Sequence, residues 1–133
     1  MYRWVDHTAE LELHVEAPTE KGIFSESLVA LGELLGERSS DEDGEPVSHE
    51  VTASAPDLPA LLAEWLSELA FLAETEGFVP EAVAALKLSD DELEATVSGR
   101  RGSPPPLVKA VTYHRLEMAE RGGAWRATVV LDV

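Results

Sequence analysis

Apolar and polar residues alternate along two stretches near the opposite ends of the chain, 10–17 and 124–133. A period of two is typical of a strand with one buried and one solvated face. We therefore predict a strand in each stretch, with Asp132 on the polar side of the last one. The residues that share the apolar phase are Leu11, Leu13, Val15, Trp125, Ala127, Val129, Leu131 and Val133.

Two other stretches follow helical spacing. Apolar residues recur every three or four positions behind Thr19, a typical N-cap residue, and the pattern ends near Gly36. A longer apolar stripe starts behind Asp57, has Pro59 in its first turn and stops at Gly77, a residue typical of helix C-termini. We predict one helix in each stretch.

Most of the remaining chain is strand-like. The turns Ser89-Asp90-Asp91 and Gly122-Gly123 predict hairpins. GRRGSPPP (99–106) is interpreted as a solvated hairpin tip, and contact with a phosphate or a partner is the alternative. Late strands joined by short turns favour an α+β fold, a two-layer sandwich of a mostly antiparallel sheet with both helices packed on one face. We predict a single domain over 1–133. The further predicted strands are 51–55, 82–88, 92–98 and 107–118.

Composition narrows the function. The formal net charge of −16 arises from 26 acidic and 10 basic residues, and it disfavours stable direct binding to nucleic acid. Such a field attracts cations and basic protein surfaces, and the alternative is that it serves only solubility. No apolar run approaches the roughly 20 residues that span a bilayer, so we expect no membrane association and a cytoplasmic protein. The chain has no cysteine, so a metal must be held by oxygen or imidazole.

The acidic loop 37–46 overlaps a partial match to an EF-hand calcium loop over 39–50. Asp41 and Asp43 fall at its third and fifth positions, but Ser39 stands where the first ligand should be aspartate, and a strand follows instead of a helix. We therefore interpret the segment as an acidic loop without a calcium site.

No nucleophile motif and no glycine-rich phosphate loop is present, which argues against a self-sufficient enzyme. Two observations indicate a site instead. The segment before the first predicted strand is unusually polar, with Asp6, His7 and Thr8 leading to Glu10. At the other end, the Asp132 carboxylate lies beside the terminal carboxylate of Val133, and hard cations bind such oxygen donors. The alternative at both places is a solvated chain end.

Four segments resemble the archease family in order and spacing: DHTAELELHVEA (6–17), LLAEWLSELAFLAETEGF (61–78), VKAVTYH (108–114) and the closing WRATVVLDV. The resemblance covers nearly the whole chain, and it implies an SHS2-like α+β domain. It also implies a protein cofactor that assists an RtcB-type RNA ligase in tRNA splicing and RNA repair. Archeases promote guanylylation and turnover of that ligase and broaden its nucleotide use.

The resemblance also implies a divalent-metal site for Ca²⁺, Mg²⁺ or Mn²⁺. Its ligands would be Glu10, Asp132 and Val133, with Asp6 nearby. Glu10 departs from the family, which usually has aspartate there, so the ion is expected to sit differently or bind more weakly. The family's histidine before VKAVTYH is also replaced, by the SPPP stretch.

We also predict three residues that act in partner contact or activation: Lys109, His7 and His114. We expect Lys109 to point outward from strand residues that share a buried phase. Its alternatives are a salt bridge to a neighbouring carboxylate, or a contact with nucleotide phosphates or an acidic group of the ligase. The residues predicted to share the buried phase are Val108, Ala110 and Leu116.

Two other functions stay open at this point. One is a chaperone or modulator of a tRNA-modifying methyltransferase, a role also proposed for archeases. The other is a metal-dependent hydrolase in its own right.

Overall fold

The computed structural model describes residues 1–39 and 44–133. Within these residues the chain forms seven strands and two helices. In chain order they are β1 (Tyr2–His7), β2 (Glu10–Ala17), α1 (Glu20–Gly36), β3 (Pro46–Ser54), α2 (Leu58–Glu76), β4 (Phe78–Leu88), β5 (Glu92–Arg101), β6 (Ala110–Arg121) and β7 (Ala124–Asp132).

The strands form two antiparallel sheets. One has four strands in the order β1-β2-β7-β6, and the other has three in the order β3-β5-β4. This confirms the predicted α+β class and adds that the strands divide between two sheets. Each helix contacts both sheets: α1 packs on β2 and β4, and α2 packs on β6 and β3.

Both helices begin, and α2 also ends, where their capping residues predict. The Thr19 hydroxyl accepts a hydrogen bond from the Gly22 N–H at 3.0 Å, and the Asp57 carboxylate accepts one from the Ala60 N–H at 2.9 Å. Each bond satisfies an N–H that lacks a helical partner. Gly77 ends α2 at a φ of 64°, in the left-handed region that favours glycine. In residues 1–39 and 44–133, no helix is long and apolar enough to cross a membrane.

The core lies between the helices and the inner sheet faces. Trp65 in α2 is fully buried, and its indole N–H donates a hydrogen bond to the Phe24 carbonyl oxygen of α1 at 3.0 Å. The two rings also meet edge to face, with centroids 6.3 Å apart. Leu13 of β2 and Val129 of β7 are fully buried below them, which confirms the predicted apolar phase of both strands.

The polar segment before β2 is itself a strand, which the sequence pattern did not predict. β1 pairs with β2 from Tyr2 opposite Val15 to His7 opposite Glu10. Backbone pairing does not require an apolar side chain at each position, so a polar strand can form at the edge of a sheet. Ala9, at a φ of 59°, closes the turn between the two strands.

Other predicted boundaries need correction. β3 begins at Pro46, so the strand is longer than the predicted 51–55, and β4 follows Gly77 directly. The EF-hand positions Asp41 and Asp43 lie outside the described residues. The segment 99–106 is not a hairpin tip, because β5 already pairs with β3 and β4 and the chain crosses to the other sheet to form β6.

Candidate functional site

One row of paired residues crosses the four-stranded sheet near the end of the chain. His7 of β1 lies opposite Glu10 of β2, and Glu10 lies opposite Asp132 of β7. Asp132 in turn lies opposite Ala110 of β6. Residues directly opposite each other in an antiparallel sheet project from the same face. The carboxylates of Glu10 and Asp132 are therefore neighbours on the polar face.

Main-chain hydrogen bonds hold the terminal residue beside this row. The Val133 N–H donates to the Ala9 carbonyl oxygen at 3.1 Å, in the turn that precedes Glu10. The Lys109 N–H donates to the Asp132 carbonyl oxygen at 2.8 Å. The main chain of residues 132–133 is thus bonded on both sides, and Glu10, Asp132 and Val133 lie together at one end of the two central strands. We refer to Glu10, Asp132 and Val133 as the chain-end site.

Two of the sequence-predicted site residues are not brought to the chain-end site. Asp6 lies opposite Leu11, one position out of phase with Glu10, so its side chain leaves the other face of the sheet. His114 is exposed in an irregular part of β6. Across 1–39 and 44–133, no group of three or more His, Cys, Asp or Glu side chains is placed to hold a metal ion. Glu10 and Asp132 contribute two side-chain carboxylates to the chain-end site.

Lys109 is exposed and Val108 and Leu116 pack against the core, as predicted, but the prediction of a buried Ala110 is wrong. Ala110 is exposed as well, and the inward residue is Val111, which lies opposite Leu131 and packs against the core. Pairing with β7 sets this phase, because Leu131 faces the core. None of the ion pairs in the described part of the chain includes Lys109.

Glu12, two residues beyond Glu10 on the same face, contacts three basic groups. One carboxylate oxygen lies 2.5 Å from His14 Nε2, and the other lies 2.9 Å from an Arg115 nitrogen and 3.6 Å from His7 Nε2. The hydrogen bond with His14, followed by the charges of Arg115 and the histidines, lowers the pKa of Glu12 although burial opposes this. Glu12 is therefore a carboxylate held in its charged form.

Arg115 reaches this face through an irregularity in β6. The pairing of β6 with β7 shifts register between Thr112 and Glu117. Four residues of β6, 113–116, stand opposite the single residue Val129. Arg115 has a φ of 57°, a left-handed conformation that is uncommon for a residue with a Cβ.

The same Arg115 nitrogen that contacts Glu12 lies 3.4 Å from Glu10 Oε2, so the guanidinium joins the two carboxylates. Sequence analysis missed both Glu12 and Arg115. The alternation over 10–17 places Glu12 on the face of Glu10, and that was the available signal. Nothing local to Arg115 indicates its contacts, because they depend on the register of β6 against β7.

Comparison with known proteins identifies the family. A model of the Archease protein family (MTH1598/TM1083) matches residues 2–133. The chain belongs to the archease family. Among its relatives, the "Protein archease" of Methanosarcina mazei is 31% identical, covering 99% of this chain and 95% of the relative. That of Methanopyrus kandleri is 31% identical, covering 97% of this chain and 96% of the relative.

Solved structures agree with this archease assignment. The solution structure of Methanobacterium thermoautotrophicum protein 1598 superposes with a TM-score of 0.71 at 27% identity, covering 99% of this chain and 98% of the other. A crystal structure from Thermotoga maritima, described as "an archease, possible chaperone", has a TM-score of 0.64 at 18% identity. It covers 97% of this chain and 94% of its own, and it supports the shared fold.

Proposed function

We propose that this archease is a non-catalytic protein cofactor that activates an RtcB-type RNA ligase in tRNA splicing and RNA repair. It promotes guanylylation and repeated turnover of the ligase and uses a divalent cation bound at the chain-end site. The observation that supports this proposal is the direct pairing of Glu10 with Asp132, next to Val133.

The donor set of the chain-end site fits a hard divalent cation. Carboxylate oxygens are the ligands preferred by Ca²⁺, Mg²⁺ and Mn²⁺. Like charges directly opposite each other in a sheet are destabilising, and a cation between them would remove that cost. When bound, the cation would supply a positive charge that could attract an oxygen of the partner. Glutamate at position 10 reaches one methylene further than the family's aspartate.

Lys109 places a positive charge at the same end of the sheet. Its main-chain N–H is bonded to Asp132, while its side chain is exposed and has no ion pair within the described residues. The ammonium group of Lys109 is therefore able to contact the phosphates of a guanine nucleotide or an acidic group of the ligase. His7, beside Glu10, belongs to the same proposed contact surface, and so does the exposed His114.

A reconstitution assay tests the proposal. An RtcB-type ligase is incubated with GTP, RNA ends and either the wild-type chain or Asp132→Asn, and ligase guanylylation and turnover are followed. The wild type is expected to accelerate both, and the variant to lose the effect. Asp90→Asn removes an equal charge in the exposed β4–β5 turn, remote from the chain-end site, and is expected to activate normally.

Other outcomes would indicate other functions. A wild-type chain that leaves the ligase unchanged and alters the activity of a tRNA-modifying methyltransferase would replace our proposal with the modulator function. Turnover of GTP or RNA by the purified chain alone, lost in Glu10→Gln, would make the protein an enzyme. Calorimetry with Ca²⁺, Mg²⁺ and Mn²⁺ tests the cation separately, since binding should be lost in Asp132→Asn.

A further inference from the structure

We propose that Arg115 sets the cation affinity of the chain-end site by acting as an internal cation that holds the Glu10 carboxylate. This inference rests on the proposed function, because it presupposes that Glu10 and Asp132 bind a divalent ion. It adds Arg115, which lies outside that ligand set and whose positive charge repels the ion.

The geometry places one guanidinium nitrogen between two acids. Arg115 Nη2 lies 2.9 Å from Glu12 Oε1 and 3.4 Å from Glu10 Oε2. Glu10 is also the residue directly opposite Asp132. One carboxylate therefore belongs both to an ion pair with arginine and to the proposed metal site.

The Glu12 and Glu10 side chains differ in how firmly their contacts hold them. The Glu12 side chain is 13% exposed, and its other oxygen is bonded to His14, so its position is well determined. The Glu10 side chain is 37% exposed and has the longer contact with Arg115. Glu12 consequently holds the guanidinium in place, and Glu10 is the carboxylate that can leave it.

The backbone of β6 at Arg115 has an unusual conformation. The residue lies in the irregular segment 113–116 and has a φ of 57°. This conformation is disfavoured for arginine, whereas glycine and asparagine adopt it more readily. Its contacts with Glu10 and Glu12 offset part of that cost. The irregular segment brings the guanidinium across β7 to the β2 carboxylates.

A guanidinium and a divalent ion cannot share the Glu10 carboxylate without repulsion. At separations of several ångströms near a protein surface, the interaction of charges is large enough to change an affinity on the order of tenfold. Arg115 should therefore weaken cation binding, and the ion must displace it from Glu10. The family resemblance predicts weaker binding from the length of Glu10, and Arg115 supplies a separate cause.

The test is calorimetric titration of the purified chain with Ca²⁺, Mg²⁺ and Mn²⁺. Arg115→Asn removes the charge and suits the left-handed backbone, so the fold is expected to be kept, as circular dichroism will verify. The variant should bind the ion about tenfold more tightly than the wild type, given the charge removed. Arg115→Lys keeps the positive charge and should stay close to the wild type.

Arg126→Gln is the matched control. Arg126 pairs with Glu16 at 3.6 Å on the same face, several residues along β7 from Asp132, so its loss makes the same change in net charge. This variant should leave cation affinity nearly unchanged. A similar gain in Arg126→Gln would show a general charge effect and overturn the role of Arg115.

The remaining outcomes separate this inference from the proposed function. Normal wild-type binding, lost in Asp132→Asn, together with equal or weaker binding in Arg115→Asn, would overturn the inference and leave the metal site standing. No binding in the wild type or in Arg115→Asn would overturn both.

Discussion

Glu10 lies directly opposite Asp132 across the β2–β7 pair, and both carboxylates leave the sheet on the same face. Like charges in this arrangement repel each other. Arg115 offsets the charge of Glu10, but it contacts neither Asp132 nor Val133 in the ion pairs of the described residues. The stability of this end of the sheet should therefore depend on divalent cations.

The effect of Asp132→Asn on stability should reverse when a divalent cation is added. In a chelating buffer it should raise the free energy of unfolding by about 0.2–1 kcal/mol, because one of two opposed charges is removed. With saturating cation the wild type should become the more stable protein, since ligand binding stabilises only the folded state that binds it. Denaturant unfolding of both proteins under the two conditions measures this. Asp90→Asn, in the distant turn, should show no reversal, and a destabilised Asp132→Asn in chelator would contradict the prediction.

Glu12→Gln should lower stability in a pH-dependent way. The hydrogen bond with His14 lowers the pKa of Glu12 from its ordinary value of 4.5, aided by the charges of Arg115 and the histidines, although burial acts the other way. A lowered pKa in the folded state contributes stability above the unfolded value, and that contribution is lost as pH falls through the folded pKa.

The melting temperatures of the wild type and Glu12→Gln should therefore differ at pH 7 and converge as the pH falls below 4.5. Thermal unfolding followed by circular dichroism across this range measures the gap. Glu120→Gln changes an exposed carboxylate of β6 and should show little gap at any pH. A constant gap for Glu12→Gln would mean that the carboxylate charge contributes nothing.

Lys109→Ala should abolish activation of the ligase while leaving the fold intact. The side chain is exposed and has no ion pair in the described part of the chain, so its loss should change the melting temperature little. Guanylylation of the ligase, measured with labelled GTP, gives the functional result. Lys21→Ala removes an exposed lysine from the first turn of α1 and should activate normally. A folded Lys109→Ala variant with full activity would show that Lys109 has no role in activation.

Association with the ligase should slow markedly as salt is raised. The net charge of −16 favours long-range attraction to a basic surface, and such attraction acts mainly on the association rate. The screening length falls from about 10 Å at 0.1 M to about 3 Å at 1 M ionic strength. Stopped-flow measurements at several salt concentrations should show a falling association rate and a smaller change in dissociation. An association rate independent of salt would exclude electrostatic steering.

The ends of the two helices were predictable because their causes are local. Thr19 and Asp57 bond to N–H groups three residues away, and Gly77 adopts the left-handed backbone within a single residue. The apolar phases of β2 and β7 were equally predictable, since alternation along one strand shows which side is buried. The archease motifs also predicted a site that contains Glu10 and Asp132, and the strand register places these two residues opposite each other.

The division of the strands into two sheets depended on the tertiary structure. β5 pairs on both sides with β3 and β4, which leaves no edge for the next strand, and segment 99–106 must cross between sheets. β1 was missed for a related reason. An edge strand forms when its backbone pairs with a neighbouring strand. The side chains of Asp6 and His7 do not indicate this pairing, because it involves the main chain.

Local patterns and composition were enough to predict the capped helices, the buried phase of β2 and β7 and the strongly acidic character of the chain. They also contain the family motifs. Each of these features depends on residues close together in the chain or on composition. The tertiary structure alone determined which charges meet. Glu12 and Arg115 form an ion pair because the irregularity of β6 and the register of three strands bring them together. Contacts between residues so distant in sequence are set by strand pairing, which no local pattern specifies.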